Sequence, residues 1–244
     1  MGNVSLFLAL ETATAFGSVA VGGPDGLEGE VVLGGRRQGA ALTPAVMDLL
    51  RHTGRRLEDL DGIVMGDGPG GFTGLRIGFA TAQGFLREHP RLELRRVPSL
   101  MGAAWIGSRF ADGPVAALYD ALRGEVFAAV YRFTGTGFQA VLPPTLTTAS
   151  ALRQGEIRAA VAVGDGARAY ADDVVAWTGR PPVGPPWGGP RAAALLDLLA
   201  LPEATTRVDA PFEAEPDYGR APAAQTRWEE RHGRPLPDPG RGGS

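Results

Sequence analysis

Met65-Gly66-Asp67-Gly68-Pro69-Gly70-Gly71-Phe72-Thr73-Gly74-Leu75-Arg76 sets glycines at 66, 68, 70 and 71 and a proline at 69 between two segments of different period. Before it, Gly62-Ile63-Val64-Met65 is a short apolar run, the pattern of a buried strand. After it, apolar residues recur at helical spacing as far as Arg87. A strand, a tight backbone turn and a helix start thus follow one another. That local geometry either binds anions or lets two backbones approach closely. Gly66, Gly68 and Gly71 formally spell the dinucleotide pattern G-x-G-x-x-G. Two features oppose that reading. Pro69 interrupts the row of N–H donors that would cradle a phosphate, and Glu88, the acidic residue at the expected distance, falls at a helix end. The structural alternative is that the glycines form the turn and let the next helix pack tightly.

Within that helix, Phe72 to Arg87, the residues Gly74, Gly78 and Ala82 recur every four positions as a flat ridge. Glycine in a helix interior costs about 1 kcal/mol relative to alanine, so the ridge implies close approach of another backbone. Leu75, Phe79 and Leu86 form a separate bulky stripe, and such a helix can face its own sheet and also a partner. Upstream, Val4 to Leu10, Gly17 to Val21 and Gly29 to Leu33 read as strands joined by hairpin turns. A helix is expected from Thr43 as N-cap, with Pro44 at its first position, Leu42 and Met47 as a hydrophobic staple, and Gly54 at its end. Asp61 to Met65 and Arg95 to Val97 add strands, giving an α/β layout with a mixed sheet. Downstream, Gly113 to Tyr119, Glu125 to Phe133 and Ala159 to Val163 read as strands and Arg191 to Leu201 as a helix. Pro181 to Pro190 is a connector without periodicity. The chain therefore divides into a first lobe over 1–100, a reduced second lobe over 101–220 and a tail over 221–244 that reads as disordered.

Composition removes several chemistries. Cysteine is absent, which excludes disulfides, thiolate catalysis and cysteine metal sites. Lysine is absent too, which excludes a Walker P-loop and a Schiff-base lysine. A net charge of −3 leaves no electrostatic footprint for nucleic acid, so any RNA is expected to be held by another chain. No apolar run approaches the roughly 20 residues needed to span a bilayer, and no signal segment is expected at Met1 to Leu10, so the expected location is cytoplasmic.

Two acidic turns are candidate sites. Glu11-Thr12-Ala13-Thr14 follows the first strand and could face a phosphate or Mg²⁺; a satisfied turn cap is the simpler alternative. Asp120 and Glu125 flank another turn and could pair for acid–base work, although Arg123 between them favours an ion pair. His52, His89 and His232 have no metal-ligand spacing, and no serine lies in a G-x-S-x-G elbow.

Leu8-Ala9-Leu10-Glu11-Thr12-Ala13-Thr14, continuing to Gly17-Ser18-Val19-Ala20-Val21, resembles the first hairpin of the actin-like ATPase superfamily. The run from Gly66 to Gly78 resembles the signature of the TsaB (YeaZ) family. Asp120 to Phe127 and Glu215-Pro216-Asp217-Tyr218-Gly219-Arg220 add supporting matches, so the similarity spans about residues 5 to 220. The resemblance implies a two-lobed actin-like, ribonuclease H-like α/β fold, with mixed sheets flanked by helices. It also implies an accessory role in making threonylcarbamoyladenosine on tRNA. Many relatives carry an aspartate at the position of Glu11, a serine at Gly71, and a histidine within the segment matching Arg36-Arg37-Gln38.

The catalytic paralogue family, TsaD, holds a metal with two histidines four residues apart. The matching positions here are Ser99 and Ala103, which are poor or impossible ligands. The resemblance therefore implies a pseudo-enzyme with no catalytic residue, no metal and no cofactor. Its implied partner is a TsaD-like catalytic paralogue, bound through first-lobe helices. A homodimer over the same surface and a TsaE-like ATPase subunit stay open, and tRNA would be reached only through the complex. The expected partner surface is Ala41, Pro44, Ala45, Leu49, Leu75, Phe79 and Leu86. The loop and helix-packing set is Gly66, Gly68, Pro69, Gly70, Gly71, Phe72, Thr73, Gly74, Arg76 and Gly78, with Glu11 and Thr12 as a residual nucleotide-like turn. The rivals are an actin-fold kinase or ATPase using Mg²⁺-nucleotide, and a peptidase, which the missing cysteine, lysine and histidine pair disfavour.

Overall fold

The computed structural model describes residues 5–34, 38–185 and 187–220. Its first sheet runs β10-β5-β4-β1-β2-β3, from strands β1 (Phe7–Glu11), β2 (Gly17–Gly23), β3 (Gly26–Leu33), β4 (Gly62–Gly66), β5 (Glu93–Val97) and β10 (Thr206–Arg207). The second runs β8-β7-β6-β9, from β6 (Val115–Leu122), β7 (Glu125–Thr134), β8 (Gly137–Thr147) and β9 (Val161–Val163). Each sheet opens with an antiparallel three-strand meander, whose first strand then pairs in parallel with the strand that follows a helix. The same topology thus occurs twice, as the two mixed α/β sheets of the actin-like fold.

Strand periodicity explains how the layers assemble. Phe7 and Ala9 point one way and Leu8 and Leu10 the other, and both sets are buried. Leu8 and Leu10 pack with Ile63, Met65 and Leu94 under helices α1 (Gln38–His52) and α2 (Phe72–Glu88). Phe7, Ala9 and Val64 face inward onto α3 (Ser99–Gly107) and α7 (Ala192–Leu198), which lie between the two sheets. Beyond the second sheet, Ala116, Leu118 and Val126 pack on α4 (Ala149–Gln154), α5 (Asp165–Ala169) and α6 (Ala171–Thr178). Each fully buried aliphatic side chain contributes about 1.5–3 kcal/mol. Among the described residues no helix is long and apolar enough to cross a membrane.

Several expectations from the sequence are corrected. Helix α1 begins at Gln38, so Pro44 lies inside it rather than at its start, and Met47 is exposed instead of stapled to Leu42. Proline there removes a hydrogen bond to the carbonyl four residues back. The buried stripe Leu42, Val46, Leu49 and Leu50 continues the helix through it. Gly54 does end the helix, with φ of +68°, and the Arg55 N–H reaches the Leu50 carbonyl at 2.8 Å in a Schellman motif. Strand β8 has no counterpart in the sequence expectations because Pro143 and Pro144 break its pattern. As an edge strand it tolerates them. Helix α3 was equally hidden, since it is apolar on every side and shows no amphipathic period. Across residue 100, β10 pairs with β5 in the first sheet, and α7 packs on β1 and β2. Arg36, Arg37 and the tail over 221–244 lie outside the described residues.

The ridge on α2 has an intrachain use. A Cβ at Gly78 would overlap the hydroxyl of Thr12, a buried residue just past β1, and Ala82 is buried on the same side. Gly78→Val should destabilise the protein by about 1–3 kcal/mol through overpacking, read as a lowered Tm in thermal unfolding.

Candidate functional site

Strands β1 and β4 are parallel neighbours, so the turn after Glu11 and the glycine loop after Gly66 meet beyond their carboxyl ends. Ligands of open α/β sheets settle at such places. Here the space is taken by the chain itself. Glu11 is 0% exposed. Its Oε1 accepts the Ala13 N–H at 2.7 Å and the Ser99 hydroxyl at 3.3 Å. Its Oε2 has no hydrogen-bond partner among the described residues and lies against Gly66, where a Cβ would overlap it. Burial pushes the Glu11 carboxyl up to about 7, outweighing the donated hydrogen bonds of Ala13 and Ser99. Asp67 is pushed up to about 6, again by burial, with Arg96 pulling the other way from 3.9 Å.

Three of the loop's own donors are taken up internally. Gly71 N–H donates to the Ala13 carbonyl at 2.7 Å, Gly68 N–H to Ser99 Oγ at 3.2 Å, and Asp67 N–H to the Val97 carbonyl at 3.0 Å. Gly68 has φ of +111°, and a Cβ there would strike the carbonyl of Asp217. The loop glycines thus serve close approach, and three of the loop's N–H groups are engaged within the chain.

The C-terminal strap, residues 208–220, was not anticipated as a structural unit. Gln83 Nε2 donates to the Pro211 carbonyl at 2.9 Å, and the Asp217 N–H donates to the Asp67 carbonyl at 2.8 Å. The Tyr218 ring lies 4.8 Å from that of Phe72, while Arg76 Nε donates to the Tyr218 hydroxyl at 3.0 Å. Gly219 fits against Pro69 and the Phe127 ring, and Arg220 donates to the Ala121 carbonyl at 2.8 Å. The strap therefore bridges the glycine loop of one lobe and the β6–β7 turn of the other.

The sequence also offered a signal that went unused. Gly66-Asp67-Gly68 after β4 recurs as Gly164-Asp165-Gly166 after β9. Gly164 has φ of +106° and packs on Leu118, and Asp165 Oδ1 accepts the N–H groups of Asp120 at 3.2 Å and Gly166 at 2.9 Å. Burial raises the Asp165 carboxyl. The proposed pairing of Asp120 with Glu125, or of either with Arg123, does not form. Asp120 Oδ1 accepts the Leu122 N–H at 2.8 Å, and Glu125 pairs with Arg220 at 3.3 Å.

Of the expected partner surface, Leu49, Leu75, Phe79 and Leu86 are buried in the core of the chain itself. Bulky apolar residues at helical spacing find the chain's own sheet first. Ala41, Pro44 and Ala45 line a groove against Val31 and Leu33 of β3. The outward side of α2 instead shows Ile77, Ala80, Thr81 and Gly84, which line a groove with Gly39 and Thr43 of α1. Phe72 and Thr73 are exposed at the start of α2, as is Arg76, and Gly74 is half-buried. Ser99 and Ala103 are both buried within α3. Among the described residues no three histidine, aspartate or glutamate side chains group closely enough to hold a metal ion.

The raised Glu11 carboxyl sets a pH dependence. Its folded value of about 7 exceeds the ordinary 4.5, so the folded state holds this proton more tightly than the unfolded chain. Stability from this group is complete below pH 4.5 and is lost as pH rises through 7, by about 3 kcal/mol in all. Glu11→Gln should flatten that slope, so that urea midpoints at pH 5 and pH 8 differ less for the variant than for the wild-type chain.

Residues 34–170 match the family described as TsaD, tRNA N6-adenosine threonylcarbamoyltransferase. The chain is 33% identical over 147 residues to the tRNA threonylcarbamoyladenosine biosynthesis protein TsaB of Escherichia coli, covering 57% of this chain and 63% of the relative. It is 35% identical over 100 residues to TsaB of Bacillus subtilis, covering 41% and 43%. The chain thus spans less than two thirds of the length of these curated relatives. Among solved structures, YeaZ from Pseudomonas aeruginosa superposes with a TM-score of 0.68 at 28% identity, over 80% of this chain and 90% of that one. With more than half of its length matched to the family, the chain belongs to the TsaD family, in its TsaB (YeaZ) branch.

Proposed function

We propose that this chain is a non-catalytic subunit of the assembly that installs threonylcarbamoyl on the tRNA adenosine beside the anticodon. It acts by binding and stabilising a TsaD-like catalytic subunit, and tRNA is contacted through that complex. The biosynthetic role follows the names of the relatives. The observation that carries the non-catalytic reading is Glu11. The carboxylate that would face Mg²⁺-nucleotide is turned inward onto Ala13, Ser99 and Gly66. The strap meanwhile spans the gap between the two lobes' turns.

The partner reading rests on the outward side of α2. Gly84 is exposed, has helical neighbours, and a Cβ on it would meet nothing within 4 Å. Its cost of about 1 kcal/mol in a helix interior has no return among the described residues, whereas a partner helix could approach closely there. The same face would serve a homodimer of the isolated chain, and a TsaE-like ATPase subunit would join the assembled pair.

Gly84→Ala should raise the Tm of the isolated chain, whereas Gly84→Arg should leave Tm near the wild-type value and abolish co-purification with the catalytic subunit. Retained co-purification of Gly84→Arg would count against this face. For the rival Mg²⁺-nucleotide enzyme, calorimetry with ATP and Mg²⁺ decides: the expected result is no binding in the micromolar range, and micromolar binding would support the rival.

A further inference from the structure

Neither the core nor the α1–α2 face accounts for the β6–β7 turn. Leu122 and Arg123 at its tip have φ of +63° and +56°, a region that suits glycine, asparagine and aspartate. A turn kept only to reverse the chain would carry those residues. Instead the tip displays a leucine that is 68% exposed. Four side chains hold it in place. Asp120 Oδ1 accepts the Leu122 N–H at 2.8 Å, and Asp165 Oδ1 accepts the Asp120 N–H at 3.2 Å. Arg220 donates to the Ala121 carbonyl at 2.8 Å and pairs with Glu125 at 3.3 Å. Because those carboxylates are engaged, Arg123 has no ion pair among the described residues. A braced projection thus ends in an apolar knob and an unneutralised guanidinium. Backbone strain kept at an exposed position points to contact made there.

We propose that Leu122 and Arg123 form a second contact to the TsaD-like subunit, entering an apolar socket with a carboxylate at its rim. This rests on the partner reading above. The leucine favours a protein over RNA, because an apolar knob gains nothing from a phosphate backbone. Continuity with α2 favours the same subunit. Arg220, which braces the turn, lies two residues from Tyr218, whose ring meets Phe72, the 52% exposed first residue of α2. Aromatic and arginine side chains therefore run from the turn to the first residue of α2, the residue types that anchor interfaces.

Leu122→Asn combined with Arg123→Gly installs residues that suit the observed backbone, so Tm should equal or exceed the wild-type value. Calorimetry of the full chain against the purified TsaD-like subunit should then give a Kd raised by about tenfold or more. Arg123→Glu alone should weaken binding most at low salt. An unchanged Kd for the double variant, with Gly84→Arg weakened, would overturn the turn contact and leave the partner reading standing. Absence of binding by the wild-type chain would remove both. A loss of tRNA affinity at unchanged affinity for the subunit would overturn the proposal in favour of RNA.

Discussion

The Glu11 carboxyl, sealed between the first hairpin, the glycine loop and the start of α3, is the constraint on which the rest of the first lobe depends. Three elements meet at it because one oxygen takes both the Ala13 N–H and the Ser99 hydroxyl. The other oxygen needs Gly66 to have no side chain. Once the hairpin is held there, Ala13 presents its carbonyl to Gly71, and Gly70 must be bare to pass the same carbonyl. Thr12 then lies under Gly78, which sets the distance of α2 from the sheet. A motif that reads as a phosphate cradle is thereby assembled as a knot of backbone contacts.

The magnitudes agree with that assignment. Desolvation dominates the two donated hydrogen bonds at Glu11, so the group gains a proton near neutrality. A carboxylate meant for a divalent cation would need to be accessible, and this one is fully buried. The second sheet repeats the Gly-Asp-Gly turn as Gly164-Asp165-Gly166 around the end of β6, with Asp165 half-buried and bound to the N–H groups of Asp120 and Gly166. The strap then ties the two arrangements together through Asp217, Gly219 and Arg220.

Much of this was legible in the sequence because it rests on local signals. An apolar run marked β1, hairpin turn signals marked β2, and the glycine-proline turn marked the start of α2 at Phe72. What stayed hidden lacks a local signal. Helix α3 is buried all round, β8 carries two prolines on a free edge, and the strap is irregular chain held only by distant partners such as Gln83 and Phe72. The candidate site was legible as to its loop but not as to its surface. Helical spacing alone cannot say which stripe of α2 meets the sheet, and the bulky stripe of Leu75, Phe79 and Leu86 took the core.

That outcome sharpens the reading of α2's small residues. Gly78 and Ala82 lie on the buried side, whereas Ala80 and Gly84 are exposed. Two residues along a helix turn by roughly 200°, so these are two ridges on opposed faces rather than one. The inner ridge is explained by Thr12 beneath it. Among the described residues nothing meets the outer one, since Gly84 stands in open space and weakens the helix it belongs to. That contrast between a packed inner side and an open outer side supports the partner face proposed above. The adjoining groove with Gly39 and Thr43 is lined by uncharged side chains, a surface that another helix fits.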